Sequence, residues 1–544
     1  MSEPATTTGQ PDAVDSAPTR HPPSSAVGAA LVAAGILVSR VLGIVRNALM
    51  ARYLGAGVAN DAFVAAFRIP NMLQNLLGEG ALSAAFIPVY SRLLAQGRRE
   101  EATRVAGAVA TLLGLITAAL VLVGVLFAPA LVDLIADGLR GERRALAIHF
   151  TRILFPGAAL FVLGAWCLGV LNSHRRFFMG YVAPAAWNVA MIAALVWFGP
   201  RSVPAGLAER LAWASVVGAL LQFAVQLPSV LPLVPGLRPG VSDGQGNVRT
   251  VMRNFAPVAL SRGVVQISAF VDLKIASHLP TGMVSVIFLA SQIYQLPVSL
   301  FGMSISAAEL PDMSSILGDR EEAARRLRER LDGALRRVAY FVVPSAAAFL
   351  ALGDVIVGAL LRGGRFGATE TLFTWGVLAG SSVGLLAGTQ ARIYSSTYYA
   401  LHDTRTPVLF ATIRVVVGAA VALLLAFPAP KLLGLDPRWG AAGLTVASGM
   451  VAWLEFALLR SRLNERIGRT GVPRAYLARL WLAAGAAAGL ALGAKLLLPS
   501  MHRIVVAVLV LGAFGAVYLG TTVAMELPEA RALTGRVLRL VRRR

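Results

Sequence analysis

The sequence predicts an all-α polytopic membrane protein with about fourteen transmembrane helices, arranged as two six-helix lobes and two extra C-terminal helices. Three observations lead there. Of 544 residues, 56% are hydrophobic and only 14% charged, whereas soluble domains carry about 25% charged residues. Apolar runs of about 20 residues recur along the chain, each long enough to cross a hydrocarbon core of roughly 30 Å. Short alternating strands, the mark of a β-barrel, do not occur. Finally, one polar motif repeats at a fixed offset.

Taken in order, residues 1–26 are rich in Pro, Thr, Ser, Ala and Asp. They have no apolar core like that of a cleavable signal and are expected to form a disordered cytoplasmic tail. Spans are expected at 28–51, 61–91, 104–136, 146–171, 178–199, 208–233 and 252–278. They continue at 283–310, 334–361, 370–400, 407–427, 440–460, 475–498 and 503–525. The net charge of +22 does not point to nucleic acid. Its basic residues collect in alternate segments, 92–104, 172–180, 234–253, 311–337, 461–479 and 526–544, as the positive-inside rule requires. Both termini are therefore expected on the cytoplasmic side. One loop, with Arg140, Arg143 and Arg144, runs against this bias. The stretch 320–337 has acid and base residues four apart and reads as an amphipathic helix on the inner surface, or as a solvated linker helix.

The repeat sets the organisation. Residues Ser83 to Ser91 (SAAFIPVYS) recur 223 residues later as Ser306 to Ser314 (SAAELPDMS), Ile69-Pro70 finds a counterpart in Leu296-Pro297, and Ser39-Arg40 is echoed by Ser261-Arg262. Six predicted helices separate the copies. An even number keeps both lobes in one orientation, related by a pseudo-two-fold axis along the membrane normal. The expected lobes are 27–233 and 234–460, followed by 461–544 with the last two helices and a basic tail. Many secondary transporters hold their substrate between such halves.

The first two spans and their surroundings contain Arg40, Arg46, Asp61, Arg68 and Glu79. A charge at bilayer depth costs about 2.5–3.5 kcal/mol on insertion scales, so several together imply a shared polar cavity. On one continuous helix, Asp61, Arg68 and Glu79 fall within about 20° of one line, while Arg46 points about 120° from the face shared by Arg40 and Asn47. In the eighth span Gln292, Gln295, Ser299 and Ser306 form an uncharged polar stripe. Structural roles are the alternative. Arg46 can snorkel, Asp61 can cap a helix, Glu79 between two glycines can sit at a kink, and Arg392 and Arg414 can anchor helix ends. Cys167 is expected to fill space within a span, and the six histidines lack metal-ligand spacing. No nucleotide loop or nucleophile elbow occurs.

The stretches Ser39 to Arg46 (SRVLGIVR), Asn60 to Asn71 (NDAFVAAFRIPN) and Glu79 to Pro88 (EGALSAAFIP) resemble the signature of the MurJ (MviN) family of bacterial lipid II flippases. Asp403-Thr404-Arg405-Thr406-Pro407 resembles that family's loop after the tenth helix. The resemblance implies a member of the MOP flippase and exporter superfamily, a transporter and not an enzyme, in the bacterial inner membrane. Its implied cargo is the undecaprenyl-pyrophosphate-linked peptidoglycan precursor, lipid II, moved from the inner to the outer leaflet by alternating access, with cell-wall synthesis proteins as possible partners. No cofactor is implied, and the drive would be the membrane potential, H+ or Na+. By motif position Arg40 and Arg46 would meet the pyrophosphate, with Arg68 in the same cavity, and Asp61 and Glu79 would pair with arginines while the site is empty.

Departures are visible. Asn47 and Gln74 stand where relatives often have an acid and an arginine, and Ser291, Gln292 and Gln295 stand where relatives can have an acid, an arginine and an acid. Arg262 would compensate. Some relatives hold sodium in the C-terminal lobe, and Asp272 would be one ligand, but 407–427 has no Asp, Asn or Glu, with Gly418 and Ala422 instead. A pairing of Asp272 with Lys274 is the plainer alternative. Rival classes are a flippase for another polyprenyl-linked glycan of the O-antigen type, a MATE-like drug antiporter, which would favour carboxylates over arginines, and a membrane glycosyltransferase. Only the acids of 319–332 approach the cluster the last would need.

Overall fold

A computed structural model describes residues 24–314, 319–498 and 501–541, and among these it contains helices and no strand. The first half comprises α1 (Ser24–Leu54), α2 (Val58–Leu77), α3 (Glu79–Ala95), α4 (Arg99–Leu126), α5 (Ala128–Ala136), α6 (Glu142–Ser173), α7 (Phe177–Phe198) and α8 (Pro204–Val230). Next come α9 (Asn247–Ser277), α10 (Met283–Pro297), α11 (Ser304–Ser314), α12 (Arg320–Leu360), α13 (Ala368–Ser382), α14 (Leu385–Ala400) and α15 (Arg405–Ala426). The chain finishes with α16 (Pro428–Leu432), α17 (Gly440–Ile467), α18 (Arg474–Leu496), α19 (Arg503–Ala524) and α20 (Pro528–Val541). Helices satisfy their own backbone groups, which is what a chain of apolar segments in lipid requires.

Ten of the described helices are long and apolar enough to cross a membrane, or eleven if α13 and α14, bent by 44°, count as one span. The chain is thus a multi-pass membrane protein, though the expected count of fourteen is not reached on this criterion. Part of the shortfall lies in the second expected span, which is divided into α2, with Asp61, Arg68 and several amides, and the 17-residue α3.

Helix α1 packs on α7, α7 on α8, and α6 on α2, α4 and α8. In the second half α12 packs on α13 and α14, α17 on α13, α14 and α15, and α18 on α12 and α19. Helix α9 packs against α2, α3 and α5 of the first half and also against α15. Small residues bring backbones close, as expected where lipid supplies no hydrophobic drive between helices. A Cβ on Gly443 would lie 2.1 Å from the Leu425 carbonyl oxygen, and one on Gly440 2.2 Å from that of Ala426. Gly443→Ala is therefore expected to push α15 and α17 apart and cost about 1–3 kcal/mol, read as a lower unfolding temperature in detergent. An unchanged temperature would rule out the close approach.

Several spans are interrupted. The expected helix 61–91 breaks at Gly78, whose ψ of −144° stops the ladder. Its N–H closes α2 on the Gln74 carbonyl at 2.8 Å, and Ala81 and Leu82 restart on its own carbonyl at 3.2 Å. The single line through Asp61, Arg68 and Glu79 therefore does not survive the break. Likewise 104–136 divides at Phe127. In 283–310 a π-helical stretch, Val298–Met303, follows Pro297 and shifts the phase of Ser306 relative to Gln292 and Gln295. Ser306 instead lies 2.6 Å from the Ser396 hydroxyl. The segment 320–337 is not a separate surface helix. It continues without a breaker into α12, with Leu327, Leu331 and Leu335 buried and Arg326 paired to Glu322 at 2.5 Å on the outside.

Asp403, in the motif before α15, accepts from the Thr406 N–H at 3.0 Å and its hydroxyl at 2.8 Å and pairs with Arg466 at 2.8 Å. The Thr406 bonds, ahead of that pairing, hold its carboxyl down at about 2. A depressed carboxyl stabilises the fold above its unfolded pKa and loses that contribution as pH falls through the folded value. Parent and Asp403→Asn are expected to differ by about 2 kcal/mol near neutrality, and to converge only as pH drops from about 4 to about 2. Unfolding curves at stepped pH measure this.

Candidate functional site

Two chambers meet at α2 and α10. The larger, about 420 Å³, lies among α1, α2, α6, α7, α8 and α10 and is lined by Arg46, Arg68, Asn71, Gln74, Trp187, Asn188, Gln222, Gln226 and Gln292 with apolar neighbours. Arg46 is held by neutral groups. Its Nη1 donates to Asn188 Oδ1 at 2.9 Å, its Nε and Nη2 to Asn47 Oδ1 at 3.3 and 3.0 Å, and its guanidinium lies 4.5 Å from the Trp187 ring centre. The indole is itself fixed, donating to Ser215 Oγ at 3.1 Å and stacked on Phe67. No carboxylate lines this chamber among the described residues. It therefore presents two guanidiniums and a set of amides, an arrangement suited to an anion.

The second chamber, about 250 Å³, is lined by Arg68, Asp272, Ser291, Tyr294, Ser381, Arg414, Thr445 and Ser448 among others. Arg68, Val64 and Phe288 border both chambers. Asp272 sits in the fields of Arg414 and Arg68, and Arg414 donates to Glu455 Oε2 at 2.9 Å. The pairing of Asp272 with Lys274 is not found, because Lys274 reaches Asp137 at 3.4 Å and the Leu134 carbonyl at 3.1 Å. Nor do these residues fit a sodium ion well. Two guanidiniums, Arg414 and Arg68, already act on the one lining carboxylate, and Glu455 is committed to Arg414. Arg414→Leu is expected to leave Glu455, 8% exposed, without its partner and cost about 3–5 kcal/mol. The double change with Glu455→Leu should recover most of that. Additive losses in unfolding temperature would contradict the pairing.

Asp61 is elsewhere. Fully buried, it caps α10 across the molecule: Gly282 N–H donates to Oδ2 at 2.7 Å, Ser285 N–H to Oδ1 at 2.9 Å and Ser285 Oγ to Oδ1 at 2.6 Å. Arg143 Nη1 stands 3.7 Å away. Close by, Asn60 donates to the Gly55 carbonyl at 2.6 Å, Arg365 N–H to the Arg52 carbonyl at 2.9 Å and Gly138 N–H to Ser277 Oγ at 3.0 Å. Gly282 has φ +94°, and a Cβ there would come 2.6 Å from the Ala56 carbonyl oxygen. The two halves are stitched together at this end. The loop that runs against the charge bias is also explained. Arg143 faces Asp61, and Arg144 grips Asp133 with two bonds of 2.7 Å.

Of the residues singled out in the sequence, Arg46, Arg68, Gln74 and Gln292 converge on the first chamber and Asp272 on the second. Arg40 and Gln295 are exposed and line neither. The side chains of Glu79 and Arg262 lie outside the described residues, as do residues 1–23 of the N-terminal tail. Trp187, Asn188 and the Arg414–Glu455 pair were missed. Asn188 offered a signal, being a lone amide in the otherwise apolar α7.

The family model "Lipid II flippase MurJ" matches residues 50–528. The lipid II flippase MurJ of Burkholderia cenocepacia is 33% identical over 438 residues, covering 79% of this chain and 82% of that protein. A solved lipid II flippase MurJ in an inward closed conformation superposes with a TM-score of 0.74 at 22% identity, over 91% of this chain and 98% of the other. An inward-facing MATE-family multidrug transporter of the MOP superfamily gives 0.61 at 16% identity, over 80% and 98%. At these identities the two structures speak for the fold, while the family model and the sequence relative extend along most of the chain. The chain belongs to the lipid II flippase MurJ family.

Proposed function

We propose that this protein carries lipid II from the inner to the outer leaflet of a bacterial cytoplasmic membrane, with both termini in the cytoplasm and the Asp61 contacts at the periplasmic end. The observation that carries the reading is the first chamber, where Arg46 and Arg68 stand with no lining carboxylate among the described residues. A pyrophosphate is a dense anion, and a guanidinium fork meets it with paired charge-assisted bonds. Asn47, Asn188 and Trp187 keep the Arg46 fork oriented without neutralising it, so little must be rearranged when the anion arrives.

The cycle follows from the two ends. With α2 and α10 locked through Asp61, the chamber is reached from the cytoplasmic side. Release of that cap and closure of the opposite end would expose it to the periplasm. The drive is the inside-negative membrane potential, worth about 2.3 kcal/mol per charge per 100 mV, which favours outward passage of a pyrophosphate. The protein acts without a metal or nucleotide and works beside the cell-wall synthesis machinery.

Depletion of the host flippase in a bacterial strain expressing this chain tests the reading. Restored arrival of lipid II in the outer leaflet is the expected result. Absence of rescue by a well-inserted chain, with export of an O-antigen-type glycolipid instead, would transfer the activity to that substrate.

A further inference from the structure

A third cavity, about 830 Å³, lies at the opposite end of the first half from the Asp61 contacts, between the end of α3, the start of α4, the α6–α7 turn and residues 232–235. Arg99 and Arg175 line it. Their neighbours Arg92 and Arg98 are engaged with Asn247, Gln245 and Glu101, whereas Arg99, Arg175 and Arg176 have no ion pair among the described residues. Of the two acids in the first turn of α4, Glu101 is turned to Arg98 at 2.5 Å and Asn247 at 2.6 Å, and Glu100 does not line the cavity. Both α4 and α7 begin beside it, and the N-terminal end of a helix favours an anion.

Two further features mark the cavity. Arg175 has φ +57° in the turn that closes α6, where the Arg176 N–H reaches the Leu171 carbonyl at 2.9 Å. Glycine is the usual residue at such a position, so Arg175 can be exchanged for glycine without straining the backbone. Asn172, also lining the cavity, has a buried Oδ1 with no hydrogen-bond partner among the described residues, and so has acceptor capacity to spare. Burial, with Arg176 and Arg99 nearby, holds the His174 imidazole below its ordinary pKa, so it adds a neutral group, 3.1 Å from the Tyr90 hydroxyl.

We propose that this cavity binds the phosphate of an anionic lipid headgroup that also carries a hydroxyl, at a site separate from the two central chambers. Arg99 and Arg175 take the phosphate oxygens, and Asn172 takes the hydroxyl. The site lies at the helix ends, where headgroups lie, and basic pockets between helices at a membrane face bind such groups. A free phosphate ester shares the chemistry, so the test separates the two sources.

The full chain is placed in nanodiscs of phosphatidylcholine, with or without phosphatidylglycerol, and phosphatidylglycerol retention is read by native mass spectrometry and thermal unfolding. Glycerol phosphate added to phosphatidylcholine discs is the soluble arm. Phosphatidylglycerol is expected to bind and stabilise the parent, and Arg99→Gln or Arg175→Gly to weaken this about tenfold or more. Arg175→Gly suits the backbone at φ +57°, so its fold should be kept or strengthened, which separates lost binding from lost structure. Equal binding of glycerol phosphate would overturn the lipid assignment. Binding of neither probe, or binding indifferent to both substitutions, would overturn the site.

Discussion

Asp61→Ala is expected to unlock α2 from α10. The change removes three hydrogen bonds to one buried carboxylate, leaves the Gly282 and Ser285 N–H groups unpaired, and takes away the carboxylate 3.7 Å from Arg143. Hydrogen bonds to a charged group contribute about 1.5–3 kcal/mol each, and relaxation reduces their sum, so a loss of about 3 kcal/mol in the closed arrangement is a fair expectation. That would move the population by roughly a hundredfold. Gly282→Ala attacks the same junction from the other side, through a φ of +94° and a Cβ 2.6 Å from the Ala56 carbonyl. A cysteine placed at Val284, 2% exposed in the parent, reports on both. It should be protected in the parent and labelled rapidly in either variant. Equal labelling in all three would mean that this end is held by something else.

The second large effect is expected at Arg46. Arg46→Gln removes a permanently charged fork from the carboxylate-free chamber, and losing one charged partner from a desolvated contact costs about 2–5 kcal/mol of binding. Fold stability should change little, since no buried carboxylate is left behind. Arg46→Lys should recover only part of the binding, because a single ammonium cannot span Asn188 and Asn47 as Nη1, Nη2 and Nε do. A lysine variant as competent as the parent would reduce Arg46 to a point charge.

The class of fold was readable because composition and repeated apolar runs report the solvent a chain lives in. The polar cavity was readable because charges in such runs need a common reason. The partners were not. Asp61 finds its donors 221 and 224 residues away, and Arg46 finds Asn188 142 residues away. A helical-phase argument on one span sees only which residues share a face, not what that face meets. It also fails where the helix breaks, as at Gly78, or widens, as at 298–303. The loop arginines that opposed the charge bias were the overlooked clue, since Arg143 belongs to the buried Asp61 contact and Arg144 to Asp133.

Titration of the purified chain with lipid II, in the parent and in the double variant Arg46→Gln with Arg68→Gln, tests the central claim that the first chamber reads a pyrophosphate. Binding in the parent and a loss of about a hundredfold or more in the variant, with unfolding temperatures alike, is the predicted result. Equal affinity in parent and variant would contradict it and send the headgroup elsewhere in the protein.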